Sequence, residues 1–191
     1  MAVNSESEST ILRLWLLLPR VGDALALCQD AIFSQYGITT EQWRVLTCIK
    51  SRGPLRLVDL ASILERGPNS MSMLVHRMVK AGLVRRTRDS KDRRTVFVSL
   101  TDKGTEAVEP AVPAAWEFMH KLLSPLSYDD QRALANMLET IKCELAGYLN
   151  PEMDMAEITK SSFTKDPDLY KRMVKNVLPP GYEAKRKRTE R

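Results

Sequence analysis

Between residues 69 and 100 the hydrophobic period of this chain changes from 3.6 to 2. In Asn69–Ala81 the apolar residues Met71, Leu74, Val75 and Met78 fall at i, i+3, i+4 and i+7, one stripe of an amphipathic helix. The opposite face carries Asn69, Ser70, Ser72, Met73, His76, Arg77 and Lys80, so it is small and uncharged at its start and basic at its end. Gly82 stops the helix. Leu83–Asp89 and Arg94–Leu100 then read as strands, the second alternating Val96, Val98 and Leu100 against Thr95, Phe97 and Ser99. The turn-forming Asp89-Ser-Lys-Asp92 between them makes a hairpin.

Upstream, Leu57, Leu60, Ala61 and Leu64 mark a short helix, and Gly67-Pro68 supplies the turn into the next one. Thr39-Thr-Glu-Gln42 predicts a capping box opening a helix through about Lys50, broken by Gly53-Pro54. Before it lies an apolar helix over Ile11–Tyr36, which Pro19 should kink or restart. After the hairpin come a bent helix over Asp102–Leu123, with Pro110 and Pro113, and another that opens at Ser127-Tyr-Asp-Asp130 and runs to Tyr148. Two short helices joined by a tight turn and followed at once by a basic hairpin describe a winged helix-turn-helix. The predicted fold is mainly α with a small β-hairpin wing: a winged helix-turn-helix head plus a helical dimerisation arm. Residues 1–37 are the N-terminal dimerisation helix, 38–104 the head, 105–149 the C-terminal dimerisation helices and 150–191 a partly disordered extension. In that extension Met153–Met155 and Leu169–Leu178 are candidates for short helices on the dimer arm. The helices at 11–36 and 127–148 carry more apolar residues than a small head can cover, so a second copy of the chain is the expected cover.

The charge is segregated. The net charge is +5, but residues 52–94 hold 11 Lys+Arg against 4 Asp+Glu and residues 184–191 hold 5 against 1, leaving the rest acidic. A basic head suits a polyanion. The polar helix face can enter a major groove while the hairpin arginines and lysine, Arg86, Arg88, Lys91, Arg93 and Arg94, neutralise phosphates beside it. The competing readings are a merely solvated basic hairpin and a winged-helix module that binds protein. The basic end at 185–188 reads as a solvated tail.

Other classes are excluded. No run of 18 apolar residues exists, so a membrane span is not expected, and the acidic N-terminus lacks the basic start of a signal peptide. Cys28, Cys48 and Cys143 lie singly in apolar runs, without C-x-x-C, and are expected to be buried thiols in a reducing cytoplasm. A redox-sensing role for one of them, Cys28 above all, is the sharper alternative. His76 and His120 have no ligand-spaced partners, so no metal or other cofactor is expected. Dinucleotide, P-loop, nucleophile-elbow and zinc-protease signatures are missing, and Ser162-Phe-Thr-Lys165 matches S-x-x-K without its companion motifs. An enzyme is not expected.

The segments QWRVL (42–46), LVDLASIL (57–64), PNSMSMLVHRMVKAGLVRR (68–86) and DSKDRRTVFVSLTDKG (89–104) resemble the MarR family of bacterial transcriptional regulators. The resemblance covers roughly residues 36–104, and its most specific part is D-x-x-D-x-R followed by LTDKG. It implies an obligate homodimer with interleaved N- and C-terminal helices, binding to pseudo-palindromic double-stranded operators, and release by a small aromatic or phenolic ligand. By the same resemblance Arg94 is the wing-tip arginine of the minor groove, and Asp89 and Asp92 brace the wing, Asp92 through a salt bridge. Met73 and His76 stand where family members often have Arg and Asp, and Glu65 replaces a common Gly in the turn. A ligand pocket between arm and head would draw on Trp15, Arg20, Trp43, Arg44, Trp116 and His120. Constitutive binding without a ligand is the alternative.

Overall fold

The computed structural model describes residues 5–88, 95–149, 172 and 175–177. The wing tip at 89–94 and most of the extension lie outside the described residues, and with them Lys91, Arg93, Arg94, Asp89 and Asp92.

Helix α1 (Ser5–Ser34) is continuous through Pro19 and begins before the expected Ile11. Proline has no N–H to give, so only the bond to the Trp15 carbonyl is lost, and the helix does not restart. Helix α2 (Thr40–Arg52) opens on the expected capping box: the Gln42 N–H donates to Thr39 Oγ1 at 3.3 Å, and the Thr39 N–H to Gln42 Oε1 at 2.9 Å. A two-residue strand, β1 (Leu55–Arg56), precedes α3 (Leu57–Ile63) and α4 (Pro68–Lys80). Strands β2 (Val84–Arg88) and β3 (Val96–Leu100) follow, then α5 (Asp102–Leu123) and α6 (Tyr128–Leu149). The chain is thus mainly helical, with a small antiparallel sheet.

The sheet order is β1-β3-β2, with Leu55 opposite Val98 and Arg86 opposite the same Val98 from the other side. The hairpin was legible, whereas β1 was not. Two residues show no periodicity, and β1 is defined only by pairing with β3.

The core of the head gathers Val45 and Leu46 of α2, Leu60 of α3, Met71, Val75 and Met78 of α4, and Val84 and Val98 of the sheet, all essentially inaccessible. Val108 and Val112 of α5 and Phe33 at the end of α1 join it. The arm is therefore fastened to the head by one end of α1, one face of α5 and an ion pair from Lys142 of α6 to Glu65. Val177 also enters this core, and Asn176 Nδ2 donates to the Ser51 carbonyl at the end of α2 at 2.9 Å. The described part of the extension thus packs on the head, where the sequence suggested the arm.

The rest of the arm is uncovered. Trp15 is 75% exposed, Leu27 72% and Leu149 80%, and Cys143 is the one buried residue of α6. One expectation about the thiols fails: Cys48 and Cys143 are buried, but Cys28 is exposed. It sits in an α1 stretch whose apolar residues leave most of their surface open in the single chain.

Candidate nucleic-acid interface

Helix α4 is held so that its polar face points outward. The stripe Met71, Leu74, Val75 and Met78 is buried, while Asn69, Ser70, Met73, His76, Arg77 and Lys80 are exposed and Ser72 is half-buried. Six of the seven residues expected on this face are therefore open, and the seventh lies at its edge. Met73, 66% exposed, is a large apolar group in the middle of this surface.

Both ends of α4 are defined by backbone chemistry. Gly67 precedes Pro68 at the first helical position, and no side chain caps the first turn. At the other end Gly82 takes φ +74, a left-handed value that glycine adopts freely, and the Leu83 N–H donates to the Met78 carbonyl at 2.9 Å. Lys103 Nζ donates to the Ala81 carbonyl at 2.8 Å and Thr101 Oγ1 to the Gly82 carbonyl at 2.6 Å. The start of α5 thereby grips the end of α4.

The basic residues of the head fall into two groups. Several are committed inside the molecule: Lys50 to Glu109 at 2.7 Å, Arg66 to Glu41, and Arg56 to Asp59 through two bonds of 2.7 Å. Those bonds hold the Asp59 carboxyl below the usual carboxylate range. In the hairpin, Arg85 Nε donates to Ser99 Oγ at 3.1 Å and Arg86 Nη2 to the Ser72 carbonyl at 2.8 Å. Arg77, Lys80 and Arg88 are exposed, as Arg85 and Arg86 are, but have no partner among the described residues. Arg86, expected as a wing contact, is thus engaged with the recognition helix.

A polar groove of about 440 Å³ opens at the helix-turn-helix turn, lined by Arg44, Leu64, Glu65, Arg66, Gly67 and Ser70. Glu65 in this turn has φ +52, and Lys142 Nζ of α6 lies 2.5 Å from Glu65 Oε1. Arg66 was not singled out from the sequence. Its place two residues before the helix-opening Pro68 is the signal that could have marked it.

Of the six candidate ligand residues, Trp43 and Trp116 both pack against the core of the head. Trp43 stacks on Phe33, centroids 4.5 Å apart and planes 16° from parallel. Arg44, next in sequence but turned about 100° around the helix, lines the polar groove instead. Trp116 and His120 meet each other at 5.8 Å. Trp15 and Arg20 are exposed on α1. Among the described residues no cluster of His, Cys, Asp and Glu could hold a metal ion, and no helix is long and apolar enough to cross a membrane.

Known proteins share this geometry. The repressor MdtR of Bacillus subtilis is 30% identical over 53% of this chain and 65% of its own length, so the chain spans just under two thirds of that relative. The MarR family profile matches residues 38–96. The regulator MgrA of Staphylococcus aureus is 31% identical over 57% of this chain and 73% of its own. The chain belongs to the MarR family. In fold it is similar to MepR of S. aureus, whose structure was solved with DNA: TM-score 0.64, 25% identity, 68% of this chain and 96% of that one. As a MarR-family protein the chain has the winged-helix head of a DNA-binding transcriptional regulator and is not an enzyme.

Proposed function

We propose that this protein is a homodimeric transcriptional repressor that binds a pseudo-palindromic double-stranded DNA operator. The observation that carries the reading is the exposed face of α4, small and polar at Asn69 and Ser70 and basic at Arg77 and Lys80, beside a strand that presents Arg88. An α-helix of this width fits a major groove, and the uncapped first turn of α4, next to Arg44, suits a phosphate. In this reading the exposed Met73 touches a thymine methyl and the exposed His76 donates to a base edge or a phosphate. Lys91, Arg93 and Arg94, between β2 and β3 in the sequence, add positive charge to the same reading.

The dimer reading rests on α1 and α6, whose exposed Trp15, Leu18, Leu27, Met137 and Leu138 need a cover that a second copy supplies. A two-fold pair would place its recognition helices about 34 Å apart, one turn of DNA. The repressor reading follows the name of the MdtR relative. The effector reading, release by a small aromatic or phenolic acid, is supported most by Trp116 and His120, whose rings lie tilted against each other, 5.8 Å apart, with Trp116 packed on the core of the head. Such a ligand would act by favouring dimers whose helices no longer match the groove spacing. The exposed thiol of Cys28 favours oxidation as the second route of release.

Fluorescence anisotropy with the duplex upstream of the protein's own gene tests the reading. Lys80→Ala and Arg77→Ala should each weaken binding, and small aromatic or phenolic acids or peroxide should release the complex. Unchanged binding by both variants contradicts the DNA reading, and indifference to both agents contradicts control by release.

A further inference from the structure

We propose that Arg86 is a positioning residue that fixes the wing to the recognition helix, and that it does not itself contact DNA. The proposal rests on the DNA-binding reading above. Arg86 lies in the middle of β2, opposite Val98, and Ser72 lies near the middle of α4. The Arg86 Nη2–H donates to the Ser72 backbone carbonyl at 2.8 Å. That oxygen belongs to a helix interior, so its i+4 amide partner already uses one lone pair and the guanidinium takes the second.

The contact has a geometric consequence. A recognition helix and a wing must enter neighbouring grooves together, so the angle between them is part of the binding surface. The C-terminal end of α4 is fixed through Thr101 and Lys103, which donate to the carbonyls of Gly82 and Ala81. Those bonds act beyond the last turn of α4, whose apolar stripe is packed in the core, and they make no tie between its middle and β2. Arg86 supplies the one described side-chain bond between β2 and the middle of α4. A guanidinium stays charged and presents a rigid, planar set of donors, so it holds a direction as well as a distance. Arg88, two residues along the same strand and on the same side, is exposed as Arg86 is, but no described bond ties it to α4, so it serves as the natural comparison.

Arg86→Met and Arg88→Met each remove one positive charge from the same strand, so the long-range loss of charge is alike in both. Affinity for the operator duplex and for a scrambled duplex is measured across a salt series. A phosphate contact contributes about 0.9 to the slope of log K against log salt. Arg88→Met should lower that slope by about this amount and weaken both duplexes alike. Arg86→Met should change the slope by less than about 0.3, leave scrambled binding near its parent value, and weaken operator binding about tenfold. In the free protein, the NMR shift of the Ser72 carbonyl carbon should move in Arg86→Met and stay in Arg88→Met, with thermal stability alike in the two.

A slope loss in Arg86→Met equal to that of Arg88→Met would overturn the proposal, as would an unmoved Ser72 carbonyl. If the parent protein binds neither duplex, the DNA-binding reading fails, and the positioning role fails with it even where the Ser72 shift confirms the contact. A changed shift with undiminished operator discrimination leaves DNA binding standing and overturns the positioning role alone.

Discussion

The Leu83 carbonyl oxygen occupies the space into which any side chain at position 104 would grow: a Cβ built on Gly104 would stand 1.9 Å from it. The same oxygen accepts the Thr101 N–H at 3.2 Å, and Thr101 Oγ1 caps α5 by accepting the Gly104 N–H at 3.0 Å. The first turn of α5 is thus seated on the chain leaving the recognition helix. Gly104→Ala must push α5 off that seat. The expected cost is about 2 kcal/mol or more, read by urea unfolding. An unchanged midpoint would show that the close approach is not needed.

Glu65 holds a left-handed backbone in the helix-helix turn, and its ion pair with Lys142 is partly exposed on both sides. Such a pair adds little stability, while the left-handed conformation costs a non-glycine residue about 1 kcal/mol. Glu65→Gly and Glu65→Ala both lose the pair, so their difference isolates the backbone. The Gly variant is expected to be more stable than the Ala variant by about 1 kcal/mol in thermal unfolding. Equal stabilities would mean that the turn relaxes to another conformation.

Burial lifts the Cys48 thiol from an ordinary value of 9.0 to about 11, against the opposing pull of nearby Arg52. A raised pKa in the folded state means that stability is complete below pH 9 and is lost as pH rises toward 11. Cys48→Ala should flatten that decline, whatever it does to stability at neutral pH. At pH 8 iodoacetamide should leave Cys48 and Cys143 unmodified until unfolding. Rapid modification of Cys48 in the folded protein would contradict its burial.

The uncovered apolar face of the arm predicts the assembly. Deleting residues 1–18 removes Trp15 and the Leu14–Leu18 run, and should turn dimers into monomers by light scattering while the head stays folded. Retained dimers would place the interface elsewhere.

What the sequence revealed was local. The Thr39–Gln42 and Ser127–Asp130 caps, the α4 stripe and the glycine at 82 are each set within a few residues, and each formed as read. What escaped was set by distant partners. Strand β1 exists only through β3, Arg86 meets a carbonyl on another element, and Asn176 reaches the end of α2 from the far end of the chain. Cys28 shows a third limit: α1 is apolar around much of its circumference, so its sequence could not say which thiol the chain itself covers.

The central claim is sequence-selective binding of duplex DNA by the polar face of α4. It is tested most directly by titrating the duplex upstream of the protein's own gene, and a scrambled one, from about 50 to 200 mM salt. Binding to the first should be tighter at every salt, with affinities falling by at least about 10³ over that range if six or more phosphates are contacted. Equal affinity for both duplexes, or affinity indifferent to salt, would contradict it.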